Sequence, residues 1–311
     1  MPRAHFGILV PQVRAAWAET RDAVVAYEAM GYDSLWVNDH MYAPQSPDRP
    51  ILEAWSTLAA IAAITDRIEL GTLVTPAGLR NVGQLAKTIA TVDRIAGGRV
   101  IAGLGAGWAE REFEDFGVPF LDASGRLGQL REALQVLPRL WGDEYGVTFE
   151  GKHAHLRGAM VEPKPVRRVP ILVGGGGEQV TMRLAARYAD VWNNLPDDQP
   201  RLAEKVAVLR QHCAEVGRDP AEVAVSQTCL VTIAEDEASA RPMIERSAEL
   251  FSATMGDARG PLALSGTPTQ VIARIEEHLN AGCAMFHIQF FGRDPRVPAA
   301  LFARTVLPHF Q

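Results

Sequence analysis

The chain has 311 residues, 47% hydrophobic and 22% charged, with a formal net charge of −6. This is the balance of a soluble globular protein, and it argues against a general nucleic-acid or anionic-membrane surface. No apolar run is long enough to span a bilayer and no signal-peptide pattern follows Met1, so a cytoplasmic location is expected.

Read in chain order, "FGILV" predicts a strand over 6–10, and apolar positions at helical spacing predict a helix over 17–30 that stops at Gly31. The unit recurs. "DSLWV" leads into a helix over 52–65, "IELGTLVT" into 82–96, "RVIAGLG" into 127–141 and "PILVG" into 178–188. "DVWNN" then leads into 202–216, "EVAVSQTCLVTI" into 269–280, and "AMFHIQF" into 299–306. These strands are apolar throughout rather than alternating, the pattern of a parallel sheet covered on both faces. Eight successive βα units close most simply into a (β/α)8 TIM barrel, here one domain over 1–311. Stretches 41–51, 142–169 and 235–265 are too long for simple connections and are read as insertions around the barrel. Cys213, Cys229 and Cys283 lie far apart without C-x-x-C spacing, so neither a disulfide framework nor a zinc site is implied.

Active sites of such barrels form at the C-terminal strand ends, which sorts the polar residues by whether they follow or precede a strand. Asp39, His40 and Tyr42 follow the second strand, 72–75 end the third, and Gly105, Gly107 and Trp108 follow the fourth. Gly174 to Gln179 follow the fifth, and Asn193 and Asn194 end the sixth. Lys164, Arg167 and Arg168 precede the fifth strand, which sends that basic cluster to the opposite, solvated rim. His40 is the acid-base candidate, because imidazole is the side chain suited to proton exchange at neutral pH, and adjacent Asp39 is expected to orient it. A histidine that only caps its loop is the plainer reading. Trp108 is placed to stack on a planar ligand or to cover the barrel.

Four consecutive glycines, Gly174, Gly175, Gly176 and Gly177, join the fifth strand to a helix expected to start at Glu178. Backbone without Cβ atoms, followed by the free N–H groups of a helix start, suits a phosphate; a tight turn alone is the competing reading. "GLGAGW" over 103–108 fails as a dinucleotide fingerprint, since its third glycine falls on Trp108 and no acidic strand end follows about twenty residues later. His153 and His155 stand two apart with no third ligand nearby in sequence, so no metal site is expected.

Five segments in this order, "SLWVNDHM", "RIELGTLVTP", "VDRIAGGRVIAGLGAGW", "PILVGGGGE" and "AARYADVWN", resemble the bacterial luciferase-like monooxygenase superfamily, within it the branch that uses the deazaflavin coenzyme F420. The similarity is strong over about 5–195 and weak beyond. It implies a deazaflavin ring laid across the barrel mouth against a bulge at Thr72, Leu73 and Val74, with a non-prolyl cis peptide there. It further implies the cofactor phosphate at Gly174 to Gly177, with Glu178 and Gln179 beside it and Gly107 and Trp108 near the ring. His40 matches the family's histidine after strand two, with Asp39 next to it; Tyr42, Trp108 and Asn193 are expected on the substrate side. The activity so implied is hydride transfer between F420 and a small organic substrate. An FMN-dependent monooxygenase fed by a separate reductase, or a flavin-binding barrel without turnover, are the alternatives. A homodimer is expected, because family barrels pair and "EAWSTLAAIAAIT" offers small residues for close helix packing.

Overall fold

The computed structural model describes residues 4–13, 16–44 and 46–310. Residue 45 of the 41–51 insertion and the residues directly behind Met1 lie outside them. The first half runs β1 (His5–Leu9), α1 (Trp17–Ala29), β2 (Ser34–Val37), α2 (Ala54–Ala62), β3 (Glu69–Thr72), the two-residue β4 (Thr75–Pro76), α3 (Val82–Ile95), β5 (Val100–Gly105), the short α4 (Glu110–Asp115) and α5 (Ala123–Trp141). An antiparallel hairpin, β6 (Val147–Glu150) and β7 (His155–Ala159), follows. The second half runs β8 (Ile171–Gly174), α6 (Thr181–Tyr188), β9 (Val191–Asn194), α7 (Leu202–Glu215), β10 (Ala224–Ile233), α8 (Glu237–Met255), β11 (Leu264–Gly266), α9 (Pro268–Asn280), β12 (Met285–Phe290), α10 (Arg296–Thr305) and α11 (Leu307–Phe310).

Eight strands pair in parallel and close on themselves in the order β1, β2, β3, β5, β8, β9, β10, β12, with β12 returning to β1. This is the expected (β/α)8 barrel. Two insertions carry structure of their own. Stretch 142–169 holds the hairpin, and 235–265 is mostly α8, whose first turn is capped by Asp236 accepting from the Ser239 N–H.

Alternation along each strand divides the core in two. Outward side chains pack under the helices, while Trp36, Ile101, Leu172 and Val191 meet inside the barrel. Trp36 is seated there because β1 and β3 carry glycine opposite it: a Cβ on Gly7 or Gly71 would collide with the indole. The expected basic cluster is on the far rim, where Arg168 pairs with Asp190 at 2.8 Å and Lys164 donates to the Leu140 carbonyl at 3.0 Å.

Two core histidines make the fold sensitive to acid. His278 Nδ1 donates to the Arg274 carbonyl at 2.7 Å, and its Nε2 accepts from the Gln199 amide at 3.0 Å, so the neutral ring satisfies both contacts. The His287 ring lies 4.3 Å from that of Trp36, and neither of its nitrogens has a hydrogen-bond partner among the described residues. Burial pushes both below the ordinary histidine value, His287 far below it. The unfolded chain therefore takes up protons as pH falls through about 6.5 while the native chain does not, so stability is full above that point and lost beneath it. Each histidine contributes a slope of up to about 1.4 kcal/mol per pH unit. Unfolding curves at pH 7.5 and 5.5 should show the loss, and His287→Leu should flatten it; an equally steep loss in the variant would contradict this assignment.

Candidate active site

Strand three ends in the bulge. The Leu73–Val74 peptide is cis, where the resemblance placed a non-prolyl cis bond. The neighbouring strands make room for it by lacking side chains. A Cβ on Gly103 would collide with the Thr72 carbonyl, one on Gly105 would stand 2.6 Å from Val74 Cγ2, and one on Gly174 would stand 2.9 Å from Val74 Cγ1. The Leu73 N–H is tied to the Val37 carbonyl at 2.8 Å, and Leu73 and Val74 remain partly exposed. Together they form an apolar, backbone-edged shelf suited to one face of a flat ring.

His40 stands at the end of β2, its side chain 18% exposed. Its Nδ1 lies 2.9 Å from Glu112 Oε2, and the other Glu112 oxygen accepts the Met41 N–H. Glu112 is fully buried on α4, beside Phe113. A carboxylate can only accept, so Nδ1 carries the proton and Nε2 presents a lone pair. Among the described residues nothing bonds to that Nε2. The His40 ring meets Trp108 edge to face at 5.7 Å, and Trp108 is 62% exposed. Tyr42 donates to Asp115 at 3.0 Å and its ring lies 6.1 Å from that of Phe116.

Asp39 does not orient His40, contrary to the expectation from their adjacency. Successive residues leaving a strand point to opposite sides. The Asp39 carboxylate turns inward to Arg80, with contacts of 2.6 and 2.8 Å, and to the Thr75 hydroxyl at 2.7 Å. Burial pushes the Asp39 carboxyl above its ordinary value and Arg80 opposes that shift. The two-pronged guanidinium contact engages both oxygens and holds it as a carboxylate. Glu112 and Arg80 are the partners of His40 and Asp39 that sequence reasoning did not single out.

The glycine turn follows β8. The helix start differs from expectation: α6 begins at Thr181, not Glu178, and the N–H groups of Gly176, Gly177, Glu178 and Gln179 have no acceptor among the described residues. Gly175 has φ +135°, and a Cβ on Gly176 would collide with Asp198 Oδ2. The turn is gripped from its carbonyl side. Buried Lys205 donates to the Gly176 carbonyl at 2.8 Å while pairing with Glu178 at 2.9 Å and Asp198 at 3.4 Å. In a trans peptide the carbonyl and the next N–H point oppositely, so the Gly177 N–H faces away from Lys205. Lys205 and Arg201 hold the Glu178 carboxyl below its ordinary value and draw it off the turn, as a bound phosphate requires. Gln179 is exposed beside the free N–H groups.

Gly107, with φ +83°, lies against Phe113 and Pro76 at the base of the Trp108 loop. Asn193 is not available to a substrate as expected. It is buried in the barrel, its amide donating to Thr228 at 3.0 Å and its carbonyl accepting from Ser226 at 3.1 Å. A cavity of about 860 Å³ opens elsewhere on the rim, between the loops after β1, β10 and β12. Pro11, Met243, Phe291 and Leu301 wall it, and none of the residues above lines it.

Comparison with known proteins bears on the family and the fold. The family model described as luciferase-like monooxygenase matches residues 3–257. The chain is 30% identical over 310 residues to a protein of Kineococcus radiotolerans named F420-dependent glucose-6-phosphate dehydrogenase, covering 92% of this chain and 91% of that one. An F420-dependent secondary alcohol dehydrogenase, solved with an F420–acetone adduct, superposes with a TM-score of 0.85 at 21% identity over 99% of both chains. The coenzyme F420 dependent tetrahydromethanopterin reductase of Methanopyrus kandleri gives 0.79 at 22% identity over the whole of both. A family model matched along most of the length, on a barrel whose third strand ends in a bulge between three glycines, leaves one assignment: the chain belongs to the luciferase-like monooxygenase family.

Proposed function

We propose that this chain is an oxidoreductase that uses the deazaflavin coenzyme F420 to interconvert a hydroxyl and a carbonyl on a small organic substrate. The observation that carries the reading is the His40–Glu112 pair, set at the same barrel mouth as the cis bulge and the glycine turn. The turn fits a cofactor phosphate, because four N–H groups without acceptors surround a backbone too crowded for Cβ atoms. Leu73 and Val74 would back the ring, with Trp108 and Tyr42 on the substrate side. The relatives named for F420 support the cofactor.

Bound there, the deazaflavin supplies the ring carbon that takes or gives the hydride. The protein supplies the proton site. In the oxidising direction His40 Nε2 accepts the hydroxyl proton as the carbon–hydride bond breaks and the carbonyl forms, and Glu112 stabilises the resulting imidazolium through Nδ1–H. The reverse direction returns that proton to the carbonyl oxygen. Trp108 and α4 would shield the exchange from water.

Titration of the purified protein with F420 and with FMN is expected to show saturable optical change with F420 and a much weaker response to FMN. Reduction of bound F420 by simple secondary alcohols should follow. Tight FMN binding with no F420 response would overturn the cofactor assignment in favour of a monooxygenase. We also read the chain as a homodimer, since the outer face of α2 presents Ser56, Ala59, Ala60 and Ala63. Sedimentation at micromolar concentration should give twice the 33.8 kDa chain mass, and a monomer there would reject the pairing.

A further inference from the structure

Three parts of the chain meet at a single guanidinium. Arg80 lies in the turn before α3. Its Nη1 meets Asp39 Oδ2 at 2.6 Å, and its Nη2 meets Asp39 Oδ1 at 2.8 Å and Glu53 Oε1 at 2.7 Å. Asp39 ends the β2 strand region and its side chain is fully buried, whereas Arg80 is 20% exposed and Glu53, the N-cap of α2, is more open. Asp39 Oδ2 also accepts from Thr75, whose hydroxyl in turn accepts from the Trp55 indole at 3.1 Å and lies 3.1 Å from the Thr72 hydroxyl. Thr72 donates to the Gly103 carbonyl at 2.8 Å. The hydrogen bonds that start at Arg80 therefore reach Thr75, the residue after the Leu73–Val74 bulge, whose hydroxyl in turn stands against that of Thr72 on the other side of it. They also reach Asp39, the residue bonded directly to His40.

We propose that Arg80 is a positioning residue: acting through Asp39 and Thr75, it fixes the ring-backing bulge relative to His40. The proposal rests on the cofactor reading above. A guanidinium that engages both oxygens of one carboxylate resists sliding and rotation together, which a single contact does not. Asp39 is buried, so without Arg80 its charge loses its compensation and the carboxyl must either protonate or drag its neighbours toward water. Either response weakens the Thr75 contact, because a neutral or displaced carboxyl is a poorer acceptor than the carboxylate held in place. The bulge then loses its rear support while the glycines Gly103, Gly105 and Gly174 still leave it room to move. Distance between a proton acceptor and a hydride-bearing ring is what such a site has to hold, and a shift of about 1 Å can cost on the order of 100-fold in rate.

The test uses Arg80→Met, read first without cofactor. Hydrogen exchange should speed by about tenfold or more over 70–80, the stretch that holds the Leu73, Ala77 and Leu79 amides bonded to Val37, Gly105 and Pro76. Exchange over β8 and α6 should not change. Unchanged exchange over 70–80 overturns the proposal. With F420, Arg80→Met should raise the dissociation constant and lower kcat, each by about tenfold. In an Asp39→Asn background the same substitution should cost less than about threefold; an undiminished effect there means that Arg80 does not act through Asp39. Should Arg80→Met fail to fold, Thr75→Val decides: weaker cofactor binding by fivefold or more supports the brace, and binding within twofold of the parent rejects it. A parent protein that does not bind F420 sinks the cofactor reading, and the exchange measurement then decides the brace by itself.

Discussion

Alanine at both Gly175 and Gly176 is expected to weaken cofactor binding by about 10- to 100-fold while the barrel stays folded. Gly175 has φ +135°, a conformation that alanine adopts only under strain, and its new methyl would stand 3.0 Å from Thr181 Cγ2. At position 176 the methyl collides with Asp198 and pushes it off Lys205, the same lysine that holds the Gly176 carbonyl. The turn must rotate, and its four N–H groups are moved from their present positions. A hydrogen bond to a charged acceptor is worth roughly 1.5–3 kcal/mol, so losing one accounts for the range given. Optical titration of the double variant, with circular dichroism to confirm folding, makes the measurement. An affinity equal to that of the parent would take the phosphate away from this turn.

The barrel was legible because its signals are local. Each strand is a short apolar run closed by glycine or a polar end, and each helix carries its own periodicity, so the eight units could be counted without any long-range contact. The glycine turn was legible for a related reason, since it depends on residue types at consecutive positions, whereas the bulge was expected only from the family resemblance. The helix after the turn was misplaced because Glu178, Gln179 and Val180 contain no breaker. They stay outside α6, which begins at Thr181 with Val180 as an N-cap that makes no side-chain hydrogen bond. Stretch 235–265 was read only as an insertion, although Asp236 three residues before Ser239 carries a usable cap signal for α8.

The partners of His40 and Asp39 were not legible, because pairing in a barrel runs across the mouth and not along the chain. Glu112 is one of four acids between 110 and 115 and the one of them that is buried. Phe113 does not single it out along the chain, because Glu114 on its other side is exposed. Arg80 lies 41 residues from Asp39, just ahead of the Asn81 cap of α3, where a positive residue has no local reason to be. Adjacency misled for a physical cause: neighbours at the end of a strand diverge, so Asp39 and His40 serve different partners.

That divergence sets up the sharpest test of the proton site. His40→Asn is expected to depress turnover by about 100-fold or more while leaving the F420 dissociation constant close to that of the parent, as loss of a positioned acid-base group does. A histidine that only capped its loop would give the opposite pattern, looser cofactor and an almost unchanged rate at saturation. Glu112→Gln probes the same group without touching the ring. The Met41 N–H must keep an acceptor, so the glutamine carbonyl stays toward Met41 and its amide nitrogen faces His40. An amide nitrogen only donates, which forces Nδ1 to accept and moves the ring proton to Nε2. The imidazole then stands in place with its acceptor closed, and turnover in the oxidising direction should fall by about tenfold or more although cofactor, fold and side-chain volume are retained. Since both substitutions disable one unit, the double variant should be little slower than His40→Asn alone. If Glu112→Gln keeps the parent rate, or if the two losses multiply, His40 Nε2 is not where the proton goes.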